Sequence, residues 1–294
     1  MSNFLQRMAA SSRLRADEAE ARLPAEALAA RIRRLPPPPA LRLSPLGFDL
    51  IAELKRRSPS VGRLAPNAFG IAAQAQRYAG GGAAALSVLT EPDEFSGDLA
   101  HLEEAIAAAE TVPMMRKDFL VSPYQLLEAR AAGAGGVLLI AAILDDRELR
   151  EMLRATHQLG MFALVEVFDT ADLERAAVAM RAAGPAVVDG RCRTLLGVNC
   201  RDLRTLAVDF GRFAALAPGG HHAATRRDLP GDIPWVAESG VESPAQAARV
   251  AGLGYRLALV GTALMRAADP AQLAAGLLAA GRASAFESRA GSAP

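Results

Sequence analysis

Charged side chains stand at the ends of several short apolar stretches, and their types suit proton transfer. Glu53 and Lys55 end the first stretch and share one face of a strand, because strand side chains alternate between faces. Arg116 and Lys117 follow another stretch, which ends at Met115, and Glu166 interrupts a third, at residues 162–167. Lysines and carboxylates that converge on one pocket can act as general acids and bases. A salt bridge at the rim of the fold is the alternative interpretation for Glu53 and Lys55.

Two more strand ends carry polar residues. Asn199 and Arg201 follow one apolar run, and Glu238 follows another. A buried charge needs a partner, so a glutamate inside an apolar strand, such as Glu166, is a candidate for a tuned acid or base. Lysine and arginine together also suit an anionic substrate. The strand ends therefore predict one pocket that binds an anion and transfers protons.

Glycine-containing turns after the last two apolar runs predict a phosphate site. Ser239-Gly240 follows the seventh run and Gly261-Thr262 follows the eighth, and Ser58 after the first run offers a hydroxyl. Glycine lets backbone amides approach an anion closely, and barrel enzymes bind phosphate with these two loops. The alternative is that both glycines only form tight turns.

The order of elements predicts an α/β fold, a (β/α)8 TIM barrel with an N-terminal helical extension. Eight apolar runs alternate with helical segments, which is typical of βαβ units and a parallel sheet. An open doubly wound sheet is the competing layout, but Ser-Pro-Ser follows the first run where its GxGxxG fingerprint would stand. The runs are 48–54, 84–89, 112–115, 136–140, 161–167, 195–199, 234–237 and 258–261, and the helical segments include 70–79, 98–110, 123–132, 146–159, 169–183 and 243–252.

The N-terminal segment is predicted to be helical over residues 3–34, because strong helix formers dominate it. The prolines at 36–39 end it, since a proline run cannot continue a helix. We therefore predict an extension at 1–40 that packs on a catalytic barrel at 41–294. A disordered arm is the alternative.

Composition excludes several classes of protein. The 33 basic and 32 acidic residues of this 294-residue chain leave a net charge of +1, which gives no basic surface for nucleic acid. Two cysteines are too few for a disulfide scaffold. The sequence contains no run of 18 or more apolar residues, so no membrane span is predicted. The first residues lack a signal-peptide core. The four histidines are scattered, so neither a metal nor a redox cofactor is predicted, and the expected protein is soluble, intracellular and cytoplasmic.

A series of motifs between residues 48 and 270 resembles the indole-3-glycerol-phosphate synthase family. This resemblance also covers the N-terminal helical arm, because the family caps its barrel with such a segment. The motifs are IAELKRRSPS (51–60), LSVLTE (86–91), RKDF (116–119), PYQ (123–125), EAR (128–130), LLIAAIL (138–144), LVEV (164–167), GVN (197–199), RDL (201–203) and AESG (237–240).

The resemblance implies a reaction of tryptophan biosynthesis. The substrate would be 1-(2-carboxyphenylamino)-1-deoxyribulose 5-phosphate, which undergoes ring closure, decarboxylation and dehydration. By resemblance, Lys117 is the general acid for ring closure and Glu166 a catalytic acid or base. Lys55 would hold the substrate carboxylate and join in proton transfer, with Glu53 as its partner. Because cations close to a lysine lower its pKa, we expect the two lysines to be tuned as proton donors.

The same resemblance implies the remaining roles. Catalytic-site polar residues would be Asn199 and Glu238. The substrate-binding set would be Arg201, the phosphate residues Ser58, Ser239, Gly240, Gly261 and Thr262, and the ring walls Phe95, Phe119 and Leu138. The loop at 56–66 fits a lid over the substrate, with a rigid rim loop as the alternative.

This sequence departs from the family pattern at a few positions. Cys200 stands where Asn or Ser is usual and is expected to weaken a polar contact beside Asn199. Phe168 replaces a common His, Asp98 a Ser and Thr262 a Ser. The stretches 184–193 and 219–232 look irregular and are expected at the bottom of the barrel, where changes affect stability more than chemistry.

Three alternative functions remain open at this stage. They are another phosphate-binding barrel such as phosphoribosylanthranilate isomerase, a non-catalytic sugar-phosphate binder, and a paralogue that uses a modified anthranilate. The first gives no reason for Glu53 and Lys55 ahead of Ser-Pro-Ser, and the second gives none for Lys117 and Glu166. The expected partners are a phosphorylated small molecule and, weakly, other tryptophan-pathway enzymes, with neither nucleic acid nor membrane.

Overall fold

Eight parallel strands close into a barrel, which confirms the predicted fold class. The computed structural model describes residues 4–58, 62–63, 70–201, 207–218 and 229–290. The strands are β1 (Asp49–Leu54), β2 (Arg57–Ser58), β3 (Gly62–Arg63), β4 (Ala85–Leu89), β5 (Met114–Lys117), β6 (Gly136–Ile140), β7 (Phe162–Val167), β8 (Val187–Val188), β9 (Arg191–Cys192), β10 (Thr194–Asn199), β11 (Trp235–Glu238) and β12 (Leu257–Val260). Around the barrel the order is β1-β4-β5-β6-β7-β10-β11-β12, and β12 pairs with β1.

Helices follow most of the barrel strands and cover their outer faces. Several begin at a residue whose side chain accepts a backbone N–H, the usual way to satisfy a helix start. Asp98, for example, accepts from the Ala100 N–H at 2.8 Å, so this departure from the family pattern serves as a helix cap. The helices are α1 (Phe4–Arg22), α2 (Ala25–Ile32), α3 (Ile71–Gly80), α4 (Leu99–Ala108), α5 (Pro123–Ala131), α6 (Asp146–Gln158), α7 (Thr170–Ala183), α8 (Gly211–Ala215), α9 (Pro244–Gly252), α10 (Thr262–Arg266) and α11 (Pro270–Ala290), with a 3-10 turn at Ala141–Ile143.

Side chains alternate along the strands, which separates two apolar clusters and points the charged residues into the barrel. One cluster fills the space between the barrel and its helices, and a second fills the inside of the barrel. The inner cluster contains Ile51, Met115, Leu164 and Val236. Two residues further along the same strands stand Glu53, Lys117, Glu166 and Glu238. Because side chains two apart share a face, these four point into the carboxyl end of the barrel.

The N-terminal segment forms two helices where the sequence predicts one. Pro24 stands between α1 and α2, and it has no N–H to continue the first helix. Phe4, Leu5 and Met8 of α1 join the cluster inside the barrel, and α2 packs on α5 through Leu28. These contacts support the division into an extension (1–40) and a barrel (41–294), which we keep as a proposal.

The irregular stretch at 184–193 folds as an antiparallel hairpin of β8 and β9 just before β10. It therefore lies at the amino end of the strands, away from the charged residues. Within the second irregular stretch, residues 219–228 lie outside the described residues, as do 59–61 and 64–66 of the predicted lid. Among the described helices, none combines the length and the apolar character that a membrane crossing requires.

Candidate active site

Glu53 lies between two lysines at the centre of the barrel mouth. Its Oε1 is 2.6 Å from the Lys55 Nζ and its Oε2 is 2.9 Å from the Lys117 Nζ. The side chains of Glu53, Lys55 and Lys117 are only 3%, 13% and 18% exposed, so this is a buried ion triad rather than a rim salt bridge. These two lysines are the only lysines in the sequence. All the other residues in its count of 33 lysines and arginines are arginines.

The pKa of Lys117 is raised, which corrects the expectation that nearby cations lower it. Burial acts to lower that pKa, but the carboxylates of Glu53, Glu166 and Glu238 outweigh burial. The converse holds for Glu53: burial acts to raise its pKa, and the two lysines bring it down to about 2. The expectation failed because Glu53 stands between the lysines, so Lys117 contacts an anion instead of Lys55.

Glu166 and Glu238 form a second buried group beside the triad. Asn199 Nδ2 donates to Glu166 Oε2 at 3.1 Å and fixes that carboxyl. Burial is the main cause that raises the pKa of Glu166, and that of Glu238 lies well above its usual value through burial and the charge of Glu166. The site thus holds one strongly ionised carboxylate, at Glu53, and a pair that retains protons more readily.

Aromatic rings form one wall of the cavity above these groups. The rings of Phe95 and Phe119 are 6.3 Å apart, and Phe4 of α1 meets Phe119 edge-on at 6.0 Å. Sequence reasoning placed Phe95, Phe119 and Leu138 here but missed Phe4, Leu89, Ile140 and Leu259, which also line the cavity. The last three occupy inward positions near strand ends, and alternation along the strands would have found them.

The phosphate loops lie on the opposite part of the cavity lining. Ser239 (φ 64°) and Gly240 (φ 69°) are consecutive left-handed residues, a strained geometry for the serine that is common at functional sites. A Cβ on Gly240 would lie 2.8 Å from the Cys200 Sγ, so only glycine fits there. Gly261 and Thr262 follow β12 into the same cavity.

The structure brings nearly all the predicted site residues to this one cavity. The side chain of Ser58 lies outside the described residues, and Glu238 lies just beneath the cavity floor, 1% exposed. Cys200 packs in the outer cluster, and the weakened polar contact that was expected beside Asn199 stays a prediction. The predicted residues that line the cavity are Glu53, Lys55, Phe95, Lys117, Phe119, Leu138, Glu166, Asn199, Arg201, Ser239, Gly240, Gly261 and Thr262.

Glu91 holds the turn that carries Phe95. It is fully buried, and its carboxylate accepts the backbone N–H groups of Asp93, Glu94 and Phe95 at 3.0, 2.8 and 3.1 Å. Burial is the main cause that raises the pKa of Glu91. The turn, and with it one wall of the cavity, is therefore built around a buried acid that sequence reasoning did not single out.

Asp118 plays the same part for Phe119, the other ring of this wall. Its Oδ1 accepts the Phe119 N–H at 2.9 Å, and its Oδ2 accepts the Thr90 hydroxyl at 2.8 Å. Arg15 of α1 joins the two supports, because its guanidinium lies 3.3 Å from Glu91 Oε1 and 3.0 Å from Asp118 Oδ1. One arginine of the extension thus anchors the supports of Phe95 and Phe119.

Replacing Arg15 with alanine is expected to lower the free energy of unfolding by about 1–3 kcal/mol, because two buried carboxylates lose a charged donor. Arg13 on the same helix is the matched control. It pairs with Glu148 at 2.8 Å, but the two side chains are 50% and 29% exposed. Arg13→Ala should cost less than about 1 kcal/mol. Urea unfolding of both variants measures the difference, and equal losses would contradict the anchoring role of Arg15.

Comparison with known proteins decides the family. The family model described as indole-3-glycerol phosphate synthase matches residues 5–277. The chain belongs to this family. It is 45% identical over 258 residues to the indole-3-glycerol phosphate synthase of Parafrankia sp. (strain EAN1pec), with 87% of each chain covered. It is 43% identical over 275 residues to that of Mycolicibacterium smegmatis (strain ATCC 700084 / mc(2)155), covering 91% of this chain and 92% of the relative.

A solved structure supports the fold independently of the indole-3-glycerol phosphate synthase family. The crystal structure of 3-hexulose-6-phosphate synthase from Salmonella typhimurium aligns with a TM-score of 0.56 at 15% identity, over 82% of this chain and all of that chain. At that identity the similarity shows the barrel fold alone. The family predicted from the sequence motifs is confirmed by the family match and the relatives together.

Among the described residues, no group of three or more histidine, cysteine, aspartate or glutamate side chains has the arrangement of a metal site. The carboxylates at the barrel mouth are instead paired with lysines and with one another. The lysines and carboxyl groups of this site suit acid–base chemistry on a bound anion.

Proposed function

We propose that this chain converts 1-(2-carboxyphenylamino)-1-deoxyribulose 5-phosphate into indole-3-glycerol phosphate, carbon dioxide and water. The family match supports this carboxy-lyase activity and its place in tryptophan biosynthesis. The observation that carries the proposal is the buried Lys55–Glu53–Lys117 triad beside Glu166, which lies in one cavity with the glycine loops at 239–240 and 261–262.

Substrate binding uses the two sides of the cavity. The loop backbones at Ser239-Gly240 and Gly261-Thr262 receive the phosphate, because glycine allows close approach of backbone amides to an anion. The anthranilate ring packs against Phe119 and its aromatic neighbours, and Lys55 holds the ring carboxylate. Arg201, which also lines the cavity, adds a positive charge for this doubly anionic substrate.

Ring closure needs one proton donor. The ring carbon that bears the carboxylate attacks the ketone carbon, while Lys117 donates a proton to the ketone oxygen, which becomes a hydroxyl. The bond to the carboxylate then breaks, carbon dioxide leaves, and its bonding electron pair restores the aromatic ring. Lys117 suits the donor role because Glu53, Glu166 and Glu238 raise its pKa, so that it is protonated in the resting site.

Dehydration needs an acid and a base together. Lys55 protonates the departing hydroxyl, which leaves as water, and Glu166 removes a proton from the carbon next to nitrogen to complete the double bond. The site gives two protons and takes one, and the proton consumed overall comes from solvent. Asn199 fixes the Glu166 carboxyl for this step through its 3.1 Å hydrogen bond.

A direct assay tests the proposal. Purified protein, without added metal or cofactor, is mixed with the carboxyphenylamino sugar phosphate, and indole fluorescence is followed. Formation of indole-3-glycerol phosphate at an enzymatic rate is the expected result. Tight binding of the substrate without product would instead indicate a sugar-phosphate binder or a paralogue for a modified anthranilate.

The expected setting is part of the same proposal. Cys192 and Cys200 are both free and buried, as is usual for a protein of a reducing compartment, which supports the cytoplasm. We also propose weak association with other tryptophan-pathway enzymes. Sedimentation of this chain with each of those enzymes would reveal a faster boundary if they associate.

A further inference from the structure

A glycine in the middle of a barrel strand leaves the space that Glu238 occupies. Gly197 lies in β10, where a glycine weakens the strand and marks a close approach by another group. A Cβ built at this position would lie 1.9 Å from the Glu238 Oε1 and 2.9 Å from its Cδ. The Glu238 carboxyl therefore fills the volume that any other residue at 197 would need.

The register of the sheet brings the same carboxyl to Glu166. Gly197 pairs with Glu166 of β7 on one side, and β10 pairs with β11, which carries Glu238, on the other. A side chain that crosses Gly197 from β11 thus reaches the side chain from β7. Both glutamates are only 1% exposed, so bulk water does not separate the two side chains.

The carboxyl oxygens of this pair face too few donors. Glu166 Oε1 and both oxygens of Glu238 are buried and receive no hydrogen bond from the described residues. Asn199 donates a hydrogen bond to the remaining oxygen, Glu166 Oε2. Buried polar atoms of this kind need a partner. A single proton between the carboxyls supplies one, because a protonated carboxyl donates to its neighbour.

We propose that Gly197 is a positioning residue that seats Glu238 against Glu166, so that the two carboxyl groups hold one proton between them. This inference deepens the proposed function, because it sets the protonation of the proposed base. Like-charged carboxyls in contact cannot both ionise readily.

The charges around the pair agree with one shared proton. Lys117 from β5 and Glu53 from β1 face it, and Lys55 lies behind Glu53. With one negative charge on the pair and one on Glu53, the two lysines are balanced and the buried cluster is neutral. A second charge on the pair would leave an uncompensated anion in the barrel, which is costly.

The kinetic test places Gly197→Ala in two backgrounds. In the otherwise unchanged protein it should lower kcat by about 10²-fold with little change in KM, because displaced catalytic groups act poorly while the substrate contacts remain. In a Glu238→Ala background the same change should cost less than about threefold, because the carboxyl that collides with the new Cβ is gone. Gly80→Ala, where nothing lies within 4 Å of an added Cβ, is the control for the change itself.

Two outcomes overturn the inference. One is an equal loss in both backgrounds, which would mean that alanine only damages the strand. The other is full activity of Gly197→Ala in the unchanged background. Thermal unfolding of each variant shows whether it is folded when assayed.

A measurement that does not require enzymatic turnover tests this inference separately from the proposed function. Carboxyl NMR of protein labelled with 13C at the glutamate side chains, with Glu166→Gln and Glu238→Gln for assignment, follows the pair directly. We expect a titration above the ordinary range of glutamate that moves to lower pH in Glu238→Gln and in Gly197→Ala. Ordinary, independent titrations would refute the shared proton even in a protein that forms product, and a shared proton in an inactive protein would refute only the proposed function.

Discussion

Replacing Lys117 with alanine should lower kcat by about 10²–10⁴-fold, the usual contribution of one positioned acid. KM should change by less than about threefold, because Lys55, Arg201 and the phosphate loops keep the anionic groups of the substrate bound. Steady-state kinetics with indole fluorescence gives both constants. A loss confined to KM would move Lys117 from proton donor to binding residue.

Lys117→Arg separates charge from proton donation. Arginine keeps the positive charge beside Glu53, but it does not release a proton at neutral pH. The arginine variant should therefore lose turnover nearly as far as the alanine variant. Arg147→Ala removes a cation that is 78% exposed on the outer face of α6, and it should leave kcat within about twofold as the control.

Replacing Glu166 with glutamine should also lower kcat by about 10²–10⁴-fold, because the amide cannot accept the proton that dehydration releases. The glutamine oxygen still accepts the hydrogen bond from Asn199, so the geometry of the site is kept. The hydroxylated intermediate should build up in this variant, and quenched-flow sampling would detect it.

Glu242→Gln is the matched control for this change. Glu242 also lines the cavity, but it is exposed at the rim. Its replacement should leave kcat within about twofold, since this exposed carboxylate takes no part in the proposed proton transfers. Comparable losses in both variants would show that the site responds to charge alone and not to the position of Glu166.

Much of this site follows from alternation along the strands. Glu53, Lys117, Glu166 and Glu238 each stand two residues beyond an apolar residue that fills the barrel, so a correct strand assignment places them in one cluster. The direction of the Lys117 pKa was wrong because it depends on which charge lies nearest. The spacing of the residues predicts that both lysines lie at the mouth of the barrel, but it does not predict that Glu53 stands between them.

The contacts made by the N-terminal extension could not be predicted from the sequence. The extension at 1–40 was predicted to pack on the barrel, but nothing in its sequence shows that Phe4 meets Phe119 or that Arg15 contacts Glu91 and Asp118. These residues lie 76 to 115 positions apart in the chain, and no local pattern links them. Cys200 shows the reverse case: its departure from the family pattern suggested a changed site, whereas its side chain packs in the outer core.

The presence of only two lysines, both sequestered at the barrel mouth, makes proteolysis informative. A lysine-specific endoprotease has just two cleavage positions in this chain, after Lys55 and Lys117, and in the folded state both side chains are held by Glu53. Cutting requires that the mouth of the barrel open far enough to present extended backbone. With reclosing fast relative to cleavage, the rate of cutting reports the population of that open form, and a bound ligand slows it by mass action.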